Sequence, residues 1–299
     1  MSTTSQDAAA GQWTGTSTLI DHIQRVDLRV QDVDRSLRFY RGVVGLEVAE
    51  QDGGHAVVRA PGGPVLLTLD STGVTRPAVR RATGLFHTAI RFPDRPSLAD
   101  ALARLADAGL QIGGGDHAVS EALYIDDPDG NGVELYRDRP RAEWPGPVLG
   151  ARIPMTTEAV DFAGLYAEGR AGDAVGDRAP EGTDIGHVHL RVSSHAATRA
   201  FYADALGLDV IADIGSAGFY SSGGYHHHIG ANTWESLGAG PSPADRAGLA
   251  RMVFAVRGEG ELGALRERLA AAGADVPDSD GEIVVRDPDG IELRFVLMG

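Results

Sequence analysis

The feature that most constrains the fold of this chain is an internal repeat. The segment from Val26 to Leu46 matches the segment from Val188 to Leu208, and Asp127-Pro-Asp-Gly130 matches Asp287-Pro-Asp-Gly290. The copies lie 160 to 162 positions apart in a chain of 299 residues. Self-similarity at a fixed spacing indicates one structural unit built more than once. The chain is therefore predicted to be a tandem of two related halves.

Each half divides again into two similar pieces. A piece opens with a strand-like alternation such as Val26, Leu28 and Val30, continues into an amphipathic helix, and ends in short β-like runs separated by glycines. Residues 97–108 and 260–272 read as helices, each followed by a glycine that can end it. The pattern predicts an α+β fold of four βαβββ modules.

Composition shifts suggest where the halves begin and end. We expect a disordered tail over residues 1–19, an N-terminal domain over 20–140, a linker over 141–182 with a helix at 157–170, and a C-terminal domain over 183–299. The two domains would each hold two modules.

Charge and cysteine content exclude several kinds of partner and site. The net charge of −15 argues against nucleic acid and anionic membranes, because both require a basic surface. The chain contains no cysteine, so disulfides and thiolate metal sites are excluded. No apolar run approaches the ~20 residues that span a bilayer, and the N-terminus lacks the pattern of a signal peptide. We expect a soluble, cytoplasmic protein.

Three places supply side chains for a metal site. His187 lies in the first strand of the second half, His226, His227 and His228 are consecutive, and Glu292 follows the second Asp-Pro-Asp-Gly motif. Two histidines and one carboxylate leave coordination positions open, which suits a ferrous ion that must also accept substrate and oxygen.

Taken in order, these motifs resemble the vicinal oxygen chelate superfamily, which contains glyoxalases, bleomycin resistance proteins and extradiol dioxygenases. Within it, Tyr225–Trp234 and Val119–Tyr136 resemble the small two-domain catechol 2,3-dioxygenases of bacteria, and the likeness extends over about residues 20 to 297. The resemblance implies that modules pair into cupped mixed β-sheets, giving two such domains, and that the metal lies in a cup at the first and last strands of each module.

The same resemblance implies four ligand positions in each half. In the C-terminal half they fall on His187, the His226–His228 segment, Arg251 and Glu292, of which arginine cannot bind a metal. Strand alternation favours His228 over His227 in the middle segment, so the expected ligands are His187, His228 and Glu292, with His226 as the second choice.

In the N-terminal half the four positions fall on Arg25, residues 66–68, His87 and Glu134. Two competent ligands are too few for a good site. This half is therefore expected to be a degenerate copy, in which His87 and Glu134 could pair as a remnant.

The resemblance implies ring cleavage of catechol or a substituted catechol by O2 at Fe(II), with Mn, Ni or Zn as alternative metals. His226, Tyr220 and Tyr225 are the candidates for proton transfer, and a one-residue shift of the strand would exchange Tyr225 for His226 in the cup. A glyoxalase-like isomerase or lyase and a metal-free antibiotic-binding protein stay open as alternatives. The expected partners are a small aromatic diol and O2; homo-oligomers are neither required nor excluded.

Overall fold

The protein was analysed as a computed structural model, which describes residues 15–169, 176–274, 276 and 281–298. The strands are β1 (Ile20–Arg29), β2 (Glu47–Asp52), β3 (His55–Arg59), β4 (Val65–Asp70), β5 (Gly84–Phe92), β6 (Gly113–Asp116), β7 (Ser120–Asp126), β8 (Gly132–Asp138), β9 (Asp184–Arg191), β10 (Asp209–Asp213), β11 (Ala217–Ser221), β12 (Ile229–Asn232), β13 (Gly248–Val256), β14 (Glu282–Arg286) and β15 (Glu292–Leu297). The helices are α1 (Val33–Phe39), α2 (Arg95–Asp107), α3 (Phe162–Gly169), α4 (His195–Arg199) and α5 (Glu259–Ala271).

The order of these elements confirms the α+β fold and its four units. Units one to three each run strand, helix, three strands, and the described part of unit four runs β13, α5, β14 and β15. Helices α1 and α4 both continue into a π-helical turn, Tyr40–Val44 and Ala200–Ala205. The repeat in the sequence is therefore a repeat in structure, down to the shape of the first helix.

The units pair in a nested order rather than consecutively. Strand β5 of unit two pairs antiparallel with β9 of unit three, and β1 of unit one pairs antiparallel with β13 of unit four. We call the strands of units two and three, β6-β7-β8-β5-β9-β12-β11-β10, the inner sheet, and those of units one and four, β14-β15-β13-β1-β4-β3-β2, the outer sheet. The two are joined by one bridge, between Ile23 and Ile185. Each half of the sequence thus contributes one unit to each sheet, so neither half forms a cup by itself.

The linker carries the expected helix. Predicted over residues 157–170, it is present as α3 and packs on α2, where a side chain at Gly169 would collide with the backbone of Ala99. The expected tail lies partly outside the described residues. Within its described part, Thr16 and Ser17 donate hydrogen bonds to the Asp209 carboxylate, which holds this segment against β10. Among the helices that the structure describes, none combines the length and apolar character required to cross a membrane.

The two Asp-Pro-Asp-Gly turns fasten the first helices of units one and three. Tyr40 donates a hydrogen bond to Asp127 and Tyr202 donates one to Asp287, each at 3.1 Å and each from the π-helical turn. The other Asp287 oxygen accepts the backbone N–H groups of Asp289 and Ile291. These carboxylates are buried and tie together units that belong to different sheets.

Burial of Asp287 makes the stability of the protein depend on pH. Burial, opposed by backbone hydrogen bonds, raises the pKa of this carboxyl from its usual 3.8 to about 6. A raised pKa in the folded state means stability that is complete below pH 3.8 and is lost as the pH rises through 6. We expect Asp287→Asn to gain roughly 1 kcal/mol in unfolding free energy relative to wild type between pH 5 and pH 7.5. Urea unfolding at both pH values measures this difference. Asp52→Asn, on an exposed strand, should show none, and an equal change in both variants would rule out the buried carboxyl as the cause.

Candidate metal centre

Three neighbouring strands of the inner sheet place two histidines and one glutamate on one face. Ala89 at the centre of β5 pairs with Glu134 of β8 on one side and with His187 of β9 on the other. His87 precedes Ala89 by two residues on β5 and therefore shares its face. Strand register alone thus brings His87, Glu134 and His187 to one point of the cup.

The three side chains are buried and converge on one carboxylate oxygen. Glu134 Oε2 lies 2.9 Å from His87 Nε2 and 3.1 Å from His187 Nε2. His87, Glu134 and His187 are 6%, 2% and 3% exposed, and their potential ligand atoms lie within 4.8 Å of one another. Among the described residues, this is the one group of at least three such side chains close enough to bind a metal ion.

Burial sets the charge of this group. Burial, against the attraction of Glu134, lowers the pKa of His187 to about 4, so its imidazole is neutral at pH 7. Burial would raise the pKa of Glu134, but His187 and His87 hold it well below its usual range. The group therefore offers the neutral imidazole of His187 and an ionised carboxylate, the forms that ligate metals.

The geometry of the three ligand atoms fits a divalent ion. Although His87 Nε2 is 2.9 Å from the carboxylate, it makes no hydrogen bond, so this buried nitrogen has no partner in the described structure. Two ligands at ~2.1 Å from a metal and at right angles lie ~3 Å apart, which matches both nitrogen–oxygen distances. Two histidines and one carboxylate on one face leave further positions open.

A chain of hydrogen bonds approaches this group from the segment before β12. The His227 ring is centred 4.1 Å from the ring of His187 and is 5% exposed. Its Nδ1 lies 2.8 Å from Nδ1 of His226, whose Nε2 lies 2.8 Å from Asp138. Burial, with the neighbouring histidines, lowers the pKa of His227 well below its usual value. His227 is thus a neutral imidazole held beside the metal ligands by a neighbour that is itself anchored.

A tyrosine lies on the opposite side of the group. Tyr124 of β7 pairs with Glu134 of β8, and its hydroxyl is 2.7 Å from His117 Nε2. The other nitrogen of His117 lies 2.7 Å from the Thr156 carbonyl, which fixes the ring. Burial and the charge of Glu134 raise the pKa of Tyr124 well above its usual range. The phenol therefore keeps its proton and can donate it in a hydrogen bond.

The backbone of His228 lies beside β9, where its carbonyl accepts the Val188 N–H at 3.0 Å, but its side chain is not part of the group around His187, although the sequence favours it as a ligand. Strand β12 begins only at Ile229, and Gly223 and Gly224 with positive φ turn the chain just before the histidines. Alternation of side chains therefore does not extend back through residues 226–228. His228 instead turns its Nδ1 to the Ser221 hydroxyl at 3.2 Å, and burial lowers its pKa to about 3. Within this segment the ring that lies beside His187 is that of His227, with 4.1 Å between the ring centroids.

Glu292 is also separated from His187. It lies on β15, three strands from β9 in the order β15-β13-β1-β9, or about 14 Å at ordinary strand spacing. Its carboxylate is paired with Arg286 at 2.8 Å and Arg294 at 3.0 Å. The structure therefore groups His187 with His87 and Glu134, whereas the expected ligands His228 and Glu292 lie outside that group.

The outer sheet shows what the equivalent positions become without metal ligands. Arg25, Arg251 and Glu292 take the places of His187, His87 and Glu134 in the repeat, and Asp27 lies between them. Arg25 Nε is 2.6 Å and Arg251 Nε 3.3 Å from Asp27, and Arg251 Nε is 3.5 Å from Glu292. The degenerate copy is thus the outer sheet, built from units one and four, and its cup is closed by ion pairs.

The three candidates for proton transfer lie at different distances from the centre. Tyr220 is fully buried and stacks on Tyr202 on the helix side of the sheet, because it pairs with Ile229 and not with a cup residue. Tyr225 binds Asp138 at 3.0 Å and Tyr136 at 2.7 Å. Both Tyr225 and His226 belong to the hydrogen-bonded support of His227 rather than to the face of the cup.

Sequence reasoning recognised His87 and Glu134 as competent ligands but assigned them to a remnant site. It favours His228 over His227 by strand alternation and gives neither His117 nor Tyr124 a role. Tyr124 is separated from Glu134 by one short turn, so a hairpin pairing of the two was readable from the Asp-Pro-Asp-Gly motif between them.

Comparisons of the chain with a family model, with known sequences and with solved structures agree with one another. The model of the Glyoxalase/Bleomycin resistance protein/Dioxygenase superfamily matches residues 19–135 and 184–295. The chain is 43% identical over 281 residues to a catechol-2,3-dioxygenase of Bacillus subtilis (strain 168), covering 92% of this chain and 97% of that protein. Glyoxalase I from Zea mays has a similar fold, with a TM-score of 0.55 and 16% identity over 92% of each chain. A second structure, of a protein from Bacillus subtilis subsp. subtilis str. 168, gives a TM-score of 0.62 at 16% identity, over 94% of this chain and 86% of that one.

Proposed function

This chain belongs to the glyoxalase/bleomycin resistance protein/dioxygenase superfamily, and from that premise we propose that it is an extradiol dioxygenase. It would cleave the ring of catechol or a substituted catechol beside the diol, with O2 as the second substrate and Fe(II) as the metal. The observation that carries the proposal is the buried convergence of His87, His187 and Glu134. The 43% identity to a catechol-2,3-dioxygenase over nearly the whole chain supports it.

His87 and His187 would bind the ferrous ion through Nε2, and Glu134 through its carboxylate. Bound there, iron would supply open coordination positions for both substrates and the electrons that a reaction between a catechol and dioxygen requires. One anionic and two neutral ligands leave a divalent ion with a charge of +1. That charge favours a deprotonated diol, because the positive field lowers the pKa of the hydroxyl it faces.

His227 is proposed to move the proton. Its imidazole is neutral, since burial lowers its pKa, and it lies against His187 at the wall of the cup. A neutral imidazole there can accept a proton from the diol and return it later in the reaction. The Asp138 carboxylate accepts a hydrogen bond from His226 Nε2–H, and His226 Nδ1 is hydrogen-bonded to His227 Nδ1. Asp138 and His226 therefore fix the orientation of the His227 ring. They act as positioning residues.

Tyr124 is proposed to hold a substrate oxygen. Its hydroxyl is kept protonated beside Glu134 and is held in place by His117, so its oxygen can accept a hydrogen bond from a substrate hydroxyl in the space in front of the ligands. Two aromatic rings, Phe86 of β5 and Trp234 after β12, lie 5.6 Å apart between centroids, and both contact His189 of β9. Apolar walls with a few oriented polar groups are typical of sites for small aromatic molecules.

The isomerase alternative has less support, because this site offers three ligands and not four. The repeat places His187 and His87 at equivalent positions, and Glu134 is then equivalent to Gly230, which pairs with His189. Gly230 has no side chain, and a Cβ atom there would lie only 2.8 Å from the His189 ring. Among the residues that the structure describes, this cup therefore lacks the second carboxylate base that glyoxalase-like chemistry commonly uses.

Oxygen uptake tests the proposal. The protein is loaded with ferrous iron under anaerobic conditions and mixed with catechol in an oxygen electrode cell while product absorbance is recorded. We expect one O2 consumed per catechol, with a yellow ring-opened product. Protein loaded with zinc should consume none, since zinc has no redox chemistry. No uptake by folded, iron-loaded protein across several catechols would overturn the proposal.

A further inference from the structure

A second polar cavity lies at the junction of the inner and outer sheets. Its volume is about 110 Å³, and residues of all four units line it. None of His87, Glu134 and His187 is among them, so this cavity is separate from the candidate metal centre. The cavity is also independent of the proposed function, because it contains no residue used there.

Two arginines at equivalent positions of the repeat line this cavity. Arg29 ends β1 and Arg191 ends β9, and they pair with Gly248 and Gly84, the first residues of β13 and β5. Both glycines have positive φ, +150° and +137°, and a Cβ at Gly248 would lie 3.6 Å from the Arg29 guanidinium. Both strands thus start with a backbone conformation that residues with a side chain rarely adopt.

Neither guanidinium has a carboxylate partner within the described residues. Arg29 is half-buried and makes no hydrogen bond or ion pair there, and its Nε is buried. Arg191 is 8% exposed, and its Nε makes no hydrogen bond. A terminal nitrogen reaches the Val79 carbonyl at 3.5 Å, the guanidinium lies 6.0 Å from the centre of the Phe86 ring, and Glu235 attracts it without forming an ion pair. In a chain with fifteen more acidic than basic residues, two unpaired arginines in one cavity are unexpected.

Uncharged groups around the arginines are also without partners. The Thr83 and Ser242 hydroxyls and Asn131 Oδ1 are buried and make no hydrogen bond in the described structure. Hydroxyls can donate to an anion, and Asn131 Oδ1 can accept from a protonated oxygen. Asp289 also lines the cavity, but its Oδ2 already accepts the Ser193 backbone N–H at 3.0 Å. Unpaired buried polar groups are costly, so a ligand that satisfies several at once is favoured.

We propose that this cavity is a binding site for a small oxyanion, of the phosphate, sulfate or carboxylate type, held between Arg29 and Arg191. Guanidinium groups recognise such anions by charge and by paired N–H donors. Burial lowers the pKa of both arginines, and a bound anion would offset that desolvation. Because all four units contribute to the lining, the anion would brace the inner sheet against the outer sheet.

Titration calorimetry and thermal unfolding in sodium phosphate, from 0 to 10 mM, test the proposal, with sodium chloride at equal ionic strength as reference. We expect saturable binding and a rise in Tm for wild type and for the control Arg38→Gln, whose arginine is exposed. Arg29→Gln and Arg191→Gln should bind phosphate at least tenfold more weakly. Thr83→Val preserves the shape of the side chain and should also weaken phosphate binding. It provides the test if either arginine variant fails to fold. Glu134→Gln should respond like wild type, because the metal centre is a separate site.

Sulfate and acetate replace phosphate in parallel titrations. Binding of sulfate but not acetate would assign a tetrahedral oxyanion, and binding of acetate would assign a carboxylate. Equal responses in all variants would attribute the stabilisation to general salt effects and overturn the proposal. So would the absence of saturable heat with all three anions.

Discussion

Glu134→Gln is expected to lower ring cleavage by at least ~1,000-fold and to remove tightly bound ferrous iron. The amide preserves the volume of the carboxylate but removes the negative charge on which His87 Nε2 and His187 Nε2 converge. Two neutral imidazoles alone would leave the metal with no anionic ligand. The readouts are iron per chain after desalting and the initial rate of oxygen uptake with catechol.

Glu292→Gln is the matched control, since it makes the same chemical change at the equivalent place in the outer sheet. There the carboxylate bonds to Arg286, Arg294 and Arg251 and lies away from His187. We expect its iron content and rate to match wild type, with some loss of stability from the broken ion pairs. Iron lost in Glu292→Gln but retained in Glu134→Gln would place the metal in the outer sheet and refute the site described above.

His227→Gln is expected to separate chemistry from metal binding. General acid–base catalysis contributes ~10²- to 10⁴-fold to a rate, so kcat should fall by that factor while iron content stays at the wild-type level. The reason is geometric: His227 lies beside His187 but is not one of the three converging ligands. Single-turnover kinetics with an iron-loaded sample measure the step directly.

His228→Gln provides the comparison for that experiment. His228 is the next residue, equally buried, and contacts Ser221 on the other side of the segment. Its replacement should change kcat by less than tenfold, and any loss should follow from a small shift of the chain. A larger loss in His228→Gln than in His227→Gln would show that the segment has the strand register expected from alternation, contrary to the structure.

The architecture was largely predictable, whereas the pairing of its units was not. Repeated motifs identify four units because each motif is local and survives in the sequence. All four opening strands, however, carry similar alternating patterns, so the pattern does not distinguish β13 from β5 as the partner of β1. The pairing depends on long-range contacts. Ala89 of β5 pairs with Glu134 on one side and with His187 on the other, which buries both side chains, and the linker of about forty residues lets unit three reach unit two.

The residue types of the candidate site were predictable from the sequence, but which residues come together was not. The sequence predicts two histidines and a glutamate at strand positions, and the structure contains a group of that composition that includes His187. The others were assigned to the half of the chain that contains His187, because consecutive units were assumed to pair. His227 and His228 were exchanged for a second reason: the alternation of a strand was applied to a turn that Gly223 and Gly224 introduce.

The nested pairing of units also bears on the order in which a newly made chain folds. All strands of the inner sheet lie between residues 84 and 232, so they leave the ribosome before the strands of unit four. Unit one is made first, yet the edge of β1 that pairs with β13 has no partner until most of the chain has been synthesised. During synthesis that flank is an uncovered strand edge, which is where nascent proteins aggregate. We therefore expect the inner sheet, which the interior of the gene encodes, to fold early. The outer sheet is completed last, because its two units are synthesised furthest apart in time.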